Sequence, residues 1–158
     1  MEFINLQNKE LTGNWLALQI VTLPEIINCP DILTNTNANT VNIVAEENTV
    51  DVLPVPEAIQ VSVKTIRRKS NFSYSIKIQV DFPYQSSSVD DFLNNLNKQK
   101  VIAVGLNAND EEKIFGSKLH PLTFDYELTD GKKLIDGSNT RVIVSGKIPQ
   151  KPVFITNL

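Results

Sequence analysis

The chain has 158 residues, of which 41% are hydrophobic and 21% are charged, the balance of an ordinary globular domain. A chain of this length can bury enough surface for a core, so we expect a single domain, residues 1–158. The formal net charge of −3 lacks the basic excess of a free-standing nucleic-acid-binding protein. Contact with nucleic acid is therefore expected, if anywhere, only at a local basic patch.

Cysteine use and hydropathy exclude two further classes of protein. Cys29 is the single cysteine, which rules out an intramolecular disulfide framework. The first thirty residues show no basic segment followed by an apolar one, and no run of 18 apolar residues occurs. We expect a soluble protein made in the cytoplasm, with no contact with a membrane.

The N-terminal third, residues 1–56, is the least regular part of the chain. Short strands are predicted at 15–23, 41–44 and 50–53, and Pro24, Pro30, Pro54 and Pro56 exclude helix between them. The alternative is an extended arm or irregular region that gains order by packing on a neighbouring subunit. The sequence leaves open whether residues 1–56 pack on their own domain or on another chain.

The central segment, residues 57–83, has the clearest pattern. Apolar and polar side chains alternate from Ile59 to Lys64 and again from Phe72 to Phe82, which indicates strands with one buried and one wet face. The polar run at 67–71 separates them as a turn, so a long β-hairpin is predicted. Pro83 cannot donate a backbone hydrogen bond and ends the second strand.

A short helix is predicted next, at about 88–99. Ser88 is a favourable N-cap, and Asp90 and Asp91 fall in the first turn, where carboxylates favour the helix dipole. The apolar residues follow with helical spacing and form one stripe that needs the sheet for support. They are Val89, Phe92, Leu93 and Leu96.

The remaining sequence, 100–158, returns to strands. We predict strands at 101–106, 111–115, 122–128, 141–147 and 153–155, with turns at 107–110, Asp130-Gly131 and Asp136-Gly137. Short connections favour antiparallel neighbours. The predicted fold class is mostly β (α+β): an antiparallel sheet or sandwich of seven to nine short strands, with the helix packed across one face or end. The predicted core consists of Ile59, Val61, Val63, Tyr74, Ile76, Ile78, Val80, Phe92, Leu96, Val104, Phe124, Tyr126, Val142 and Val144.

No motif predicts an enzyme active site, a cofactor or a metal. Cys29 and His120 are the only Cys and His, and a loop cysteine with a histidine before a proline is the ordinary interpretation. The same two residues are too few for a zinc site. The segment from Asn107 loosely echoes a calcium loop, but Glu112 and Lys118 occupy the positions that need Gly and Glu.

Two acidic groups and one basic group are candidate sites. The carboxylates Asp90 and Asp91 have a structural role in the helix, and those of 110–112 fall on a solvated turn. The basic residues Arg67, Arg68 and Lys69, with Lys64 and Lys77 nearby, form the strongest local concentration of charge. They are the candidate contact for a partner or a phosphate, and the alternative is a solvated turn that keeps the hairpin soluble.

The C-terminal half carries a run that resembles known small proteins. It reads Lys-Val-Ile-Ala-Val-Gly-Leu-Asn-Ala-Asn-Asp-Glu-Glu-Lys-Ile-Phe-Gly-Ser at 100–117, followed by Pro121-Leu122-Thr123-Phe124 and by Val-Ile-Val-Ser-Gly at 142–146. This is similar to small uncharacterised structural proteins of Bacteroidetes phages and prophages, over residues 100–147. In these, a strand ending in Gly-Ser or Gly-Thr leads to Pro-Leu-x-Phe.

The resemblance implies a role in a virus particle and supplies no catalytic residue. The expected function is a bacteriophage virion structural or assembly protein, a tail, neck or head-completion component that acts through subunit interfaces. Its partners would be copies of itself, in a homo-oligomer, and other virion proteins, and its place the virion assembled in the host cytoplasm. The alternative is a cytoplasmic, non-enzymatic host-side binding module or inhibitor that uses a sheet face or the basic hairpin 67–71.

Overall fold

The structure, a computed structural model, describes residues 15–43, 50–52, 59–82, 87–107, 110–130 and 138–155. These residues form eleven strands and one α-helix, together with two single turns of 3₁₀ helix at 23–25 and 38–40. The strands are β1 (Trp15–Thr22), β2 (Ile26–Asn28), β3 (Asn42–Ile43), β4 (Val50–Val52), β5 (Ile59–Arg68), β6 (Asn71–Phe82), β7 (Lys100–Asn107), β8 (Glu112–Phe115), β9 (Leu122–Asp130), β10 (Ser138–Ile148) and β11 (Val153–Ile155). The helix is α1 (Ser87–Leu96).

Nine of the described strands form one antiparallel sheet, so the predicted fold class is confirmed. Its main path runs β5-β6-β10-β9-β7-β8-β11, and β1 pairs with the other edge of β7 and also with β4. β2 and β3 pair as a separate two-stranded sheet. The described strands exceed the predicted seven to nine. β3 and β4 lie within the predicted segments 41–44 and 50–53, whereas β2 was not predicted, because three residues are too few for a clear period-2 pattern.

The sheet divides at β7. The first residues of β7, Lys100 and Val101, pair with the start of β9, and residues 103–106 then pair with β8 on the same edge. The sheet curls as well, and one cluster of buried side chains unites its inner face with α1. That cluster contains Leu18, Ile20, Ile59, Ile76, Ile78, Val80, Leu93, Leu96, Val101, Ala103, Phe115, Leu122, Phe124, Val142, Val144 and Ile148.

The core prediction is right for most of its members and wrong for Val63. Eight of the predicted residues are buried, and Val61, Tyr74, Phe92, Val104 and Tyr126 are partly buried against the clusters. The side chain of Val63, by contrast, is 40% exposed. Alternation assigns Val63 correctly to the inner face of β5, but β5 is at the edge of the sheet, and Val63 is exposed there.

The N-terminal third is part of the fold where the structure describes it. β1 lies between β4 and β7, and Leu18 and Ile20 are in the main core. Residues 23–41 cover the opposite face of β7 and β8, where Val21, Ile26 and Ile102 form one cluster and Leu33, Ala38, Ile114 and Val153 another. In this structure these residues pack on the sheet of their own chain. Residues 1–14, 44–49 and 53–56 of the arm prediction lie outside the described residues.

The helix is three residues shorter at its end than predicted. α1 ends at Leu96, and Lys98 then takes a left-handed backbone angle, with φ 65°. The backbone N–H of Lys98 donates to the carbonyl of Phe124, and the N–H of Phe124 donates to the carbonyl of Gln99. Residues 97–99 leave the helix because this segment pairs with the chain of β9. The helix also begins at Ser87, which places Ser88 inside its first turn and not at the cap.

The glycine that follows β8 starts a tight loop. Gly116 has φ 85°, where only glycine is free of strain. The N–H of Ser117 donates to the carbonyl of His120, and the N–H of His120 donates to the Ser117 hydroxyl. This closed loop leads through Pro121 directly into β9. The predicted turns at Asp130-Gly131 and Asp136-Gly137 and the stop at Pro83 involve residues outside the described ranges.

Candidate interaction surface

The predicted basic turn is the end of a regular two-residue hairpin. β5 continues through Arg67 and Arg68, β6 begins at Asn71, and Arg68 pairs with Asn71. The turn therefore consists of Lys69 and Ser70 alone, and the five-residue turn expected at 67–71 is too long. All three predicted site residues are exposed, so the structure does place Arg67, Arg68 and Lys69 together at an accessible tip.

This hairpin extends beyond the strand beside it. β10 pairs with β6 only as far as Ile148, which lies opposite Tyr74. The last three residue pairs of the β5–β6 ladder, from Ile66 with Ser73 to Arg68 with Asn71, therefore have no third strand. We call residues 66–73 the basic tip. It projects from the sheet as a two-stranded ribbon.

The inner face of the basic tip carries an aromatic side chain in solvent. Phe72 was expected to face the core, and the alternation does place it on the inner face, but it is 53% exposed. It lies directly opposite Arg67, whose guanidinium carbon is 5.6 Å from the centre of the ring. A cation over an aromatic ring, both accessible, is an arrangement common at protein interfaces, where Arg and large aromatic residues contribute most of the binding energy.

The outer face of the same strands continues the positive charge. Lys64 and Lys147 flank Ser75 in one row across β5, β6 and β10, and Lys77 lies in the next row. Directly opposite residues share a face of a sheet, so these three side chains stand on one side of it. All three are exposed. The sequence indicated Lys64 and Lys77, but Lys147 joins them only through the β6–β10 register.

The three cations of the predicted site and these three lysines make six, and none of them has an acidic partner in the described part of the chain. Asp81 and Asp125, on the same outer face but further from the tip, pair with Arg141 and Lys98. Without the six, nine Lys and Arg remain against 18 Asp and Glu, so the rest of the chain has a formal charge of −9. The molecule is therefore electrostatically polar, although its net charge is only −3. We call Lys64, Arg67, Arg68, Lys69, Lys77 and Lys147 the cationic surface.

A second hairpin turn has the opposite charge. Asp110 and Glu111 lie between β7 and β8, and Glu112 is the first residue of β8. All three are exposed, and we call them the acidic tip. Asn107 holds this turn: its side-chain oxygen accepts from the N–H of Glu111 at 3.0 Å, and its side-chain N–H donates to the Glu111 carboxylate at 3.3 Å. Asn107 therefore has a structural role here, in place of the calcium ligand that its sequence context loosely suggested.

Lys113 follows the acidic tip in sequence, but its ammonium group lies against aromatic rings. The Lys113 ammonium lies 4.7 Å from the centre of the Phe154 ring and 5.9 Å from that of Phe115. Burial lowers the pKa of Lys113, and the charge of Glu111 opposes that change. Lys113 is thus drawn towards aromatic rings, while the carboxylates of 110–112 face solvent.

The other candidate residues have structural surroundings. Cys29 is partly buried against two small clusters, and its thiol donates to the carbonyl of Pro30 at 3.6 Å. His120 belongs to the loop that precedes β9. Asp90 accepts a hydrogen bond from the Tyr126 hydroxyl at 3.2 Å, which ties α1 to β9, and Asp91 is exposed.

Within the described ranges, no group of three or more His, Cys, Asp or Glu residues is placed to hold a metal ion. The one helix described, α1, is too short to cross a bilayer. No known protein family, no curated protein and no solved structure matches this chain. The functional argument therefore depends on the surface itself.

Proposed function

We propose that this protein is a non-enzymatic assembly protein that binds copies of itself and other proteins through exposed sheet edges and the projecting hairpin. In its specific form the proposal is a bacteriophage virion component of the tail, neck or head-completion type, which the resemblance over residues 100–147 implies. One observation supports the assembly role above all. The ten-residue strand β5 pairs on one side only, with β6, among the described strands.

An unpaired strand edge presents backbone N–H and C=O groups that can pair with another chain. Proteins that remain monomeric usually protect such an edge with charge, and β5 has Lys64, Arg67 and Arg68 near its end. Its first half, 59–63, has no charged residue. That half, with the partly exposed Val63, is suited to pairing with a strand of a second copy or of a neighbouring virion protein.

The mass of the native assembly tests this proposal. Light scattering and sedimentation over a range of protein concentrations should show an oligomer, and electron microscopy of particles should show the protein within them. Gln60→Lys adds a charge to the open edge, and two such edges paired in antiparallel fashion would bring like charges close together. We expect the variant to associate at least tenfold more weakly.

Gln79→Lys is the matched control, because Gln79 lies opposite Gln60 in the same row, one strand inward. It adds the same charge to the same face without touching the open edge. A protein that stays monomeric at every concentration and is missing from particles would contradict the proposal. So would equal effects of the two substitutions.

The exposed Arg67–Phe72 pair favours a second candidate, a host-side binding module that uses the basic tip. In that case purified protein should retain a host protein from lysate, and joint replacement of Arg67, Arg68 and Lys69 by Ser should abolish the retention. Retention that is unchanged in the triple variant would exclude the tip as the binding site.

A further inference from the structure

The two oppositely charged hairpin turns lie at the same end of the sheet. Through the register, Ser62 of β5 aligns with Lys77, Ser145, Thr123 and finally Lys100 of β7. β5 and β7 run in the same direction from this row, because each neighbouring pair along the path is antiparallel. The basic tip and the acidic tip therefore project from the same end, separated by the positions of β10 and β9.

The two strands between them stop short of that end. β9 starts at Leu122, opposite Val101, and β10 has its last partner at Tyr74. The end of the sheet is thus forked, with a basic tip on the side of β5 and an acidic tip on the side of β7 and β8. No ion pair joins the two tips within the described residues; the ion pairs there are Lys98–Asp125 and Arg141–Asp81.

We propose that the basic tip of one copy docks against the acidic tip of a second copy. This inference rests on the proposed assembly function and specifies its interface. Charge complementarity selects the occupant, since the cationic surface faces no described carboxylate and the rest of the chain has a formal charge of −9. Arg68 and Lys69 of one copy then meet Glu111 and Glu112 of the next, and Phe72 is covered at the contact.

Two arrangements satisfy this contact. In a two-fold dimer each copy places its basic tip on the acidic tip of the other, so the contact forms twice and the assembly closes. In a heterologous arrangement each copy gives one tip to each of two neighbours, and repetition produces a ring or an open filament. The mass of the assembly distinguishes a dimer from these larger forms.

A nucleic acid is the competing occupant of the basic tip. The cationic surface could neutralise phosphates, and the exposed Phe72 could stack on a base. Phe72 stands on the inner face, however, and Lys64, Lys77 and Lys147 on the outer face. Its positive charge is also opposed by the acidic remainder of the chain, which disfavours the approach of a polyanion. A second copy of the chain supplies a negative partner for the basic tip and a positive partner for the acidic tip.

Charge reversal at each tip tests the proposal in the full chain. One variant has Arg68→Glu and Lys69→Glu, which leaves the Arg67–Phe72 pair in place. The other has Glu111→Lys and Glu112→Lys, which leaves Asp110 at its left-handed φ of 63°. Each variant should associate at least tenfold more weakly than the unchanged protein, with unfolding transitions showing that it remains folded.

Combining all four substitutions exchanges the signs of the two tips, and association should return to within about threefold of the unchanged protein, because complementary charges again face each other. Asp91→Lys is the control for net charge, since Asp91 is exposed on α1, away from the forked end. It should leave association unchanged. Added salt should weaken the association of the unchanged protein.

The outcomes separate this inference from the proposed function. If the unchanged protein is monomeric, both are wrong. If it assembles and the tip variants assemble equally well, the edge of β5 accounts for assembly and the tip-to-tip contact is wrong. Failure of the fourfold variant to recover while it remains folded would also overturn it. Loss of binding to labelled duplex DNA by the Arg68→Glu, Lys69→Glu variant, with assembly unchanged, would assign the basic tip to phosphates.

Discussion

The guanidinium of Arg67 lies over the ring of Phe72, 5.6 Å from its centre, on the two-stranded ribbon that projects beyond β10. The two residues are direct partners across β5 and β6, so the register of the hairpin imposes their contact. The inner face of β6 is thus buried at Ile76 and Ile78 but exposed to solvent at Phe72. An apolar residue in this position contributes little to folding and is available for binding.

Phe72→Ala should therefore have a small effect on stability. An exposed cation–π contact is worth about 0.5–1 kcal/mol, so we expect the free energy of unfolding to fall by no more than about 1 kcal/mol. Phe124→Ala, at a fully buried position in the same sheet, should cost about 3–5 kcal/mol. Urea denaturation measures both. Comparable losses in the two variants would mean that Phe72 is covered within its own chain.

Gly105 should not tolerate a side chain. A Cβ built on Gly105 would lie 2.7 Å from a carbon of the Trp15 ring, which is packed edge-on against Phe115 with centroids 5.6 Å apart. Gly105→Ala must move that ring, at a cost of about 1–3 kcal/mol. Because Trp15 is the single tryptophan, its fluorescence reports both the displacement and the unfolding.

Gly146→Ala provides the comparison for Gly105. Its added Cβ would meet the flexible end of Leu122 at 3.0 Å, which can give way more readily than an indole ring. We expect a smaller loss of stability and an unchanged tryptophan spectrum. A Gly105→Ala protein as stable as the Gly146→Ala protein would show that Trp15 does not pack on Gly105.

The hairpin turn stores backbone strain at Lys69. Its φ of 53° lies in the left-handed region, which costs an ordinary residue about 1–2 kcal/mol and glycine almost nothing. Lys69→Gly should therefore raise the melting temperature slightly, since glycine also makes the unfolded chain more flexible and offsets part of the gain. Ser70→Gly, at a neighbour without a positive φ, should lower it. The reverse order of melting temperatures would contradict the turn geometry.

Tyr126 should ionise at a higher pH than an ordinary tyrosine. Burial raises its pKa above the usual 10.0, and the hydrogen bond to Asp90 and the charges of Asp90 and Asp91 raise it further. The folded protein holds this proton more tightly than the unfolded chain does, so the associated stability is present below pH 10.0 and is lost as the pH rises above that value.

Ultraviolet titration of the phenolate measures this pKa, with Tyr126→Phe subtracted to isolate one residue. Asp90→Asn should lower the pKa towards its usual value because the charged acceptor is removed. Asp91→Asn removes only a more distant charge and should lower it less. An equal shift in the two variants would show that the hydrogen bond between Tyr126 and Asp90 does not form in solution.

Much of the secondary structure could be predicted because its causes are local. Alternation along 59–64, 72–82 and 122–128 depends only on the chain itself, and β5, β6 and β9 contain these three segments. β11 matches the predicted 153–155, and β1 ends one residue before the predicted end, ahead of Pro24. The three basic residues at the hairpin turn were found for the same reason, since turn and charge are adjacent in sequence.

The exposure of individual residues could not be predicted in the same way. Alternation assigned Val63 and Phe72 to the inner face, yet both are exposed. Phe72 lies beyond the last residue of β6 that pairs with β10, and Val63 lies on the edge strand β5. Lys147 joins the cationic surface through a strand pairing between residues about seventy positions apart. Likewise, Ile102 and Ile114 are buried by the N-terminal segment, which the sequence left open as an arm.

The sequence by itself determined which segments are strands, the helix or turns, and which side of each strand is apolar, because these properties follow from neighbouring residues and backbone geometry. The tertiary structure alone decided where the sheet ends. It set how far the hairpin projects and placed a basic and an acidic turn at the same end, since both depend on registers between distant strands. Coverage by remote parts of the chain, not hydrophobicity alone, fixes which apolar and charged groups remain available to a partner.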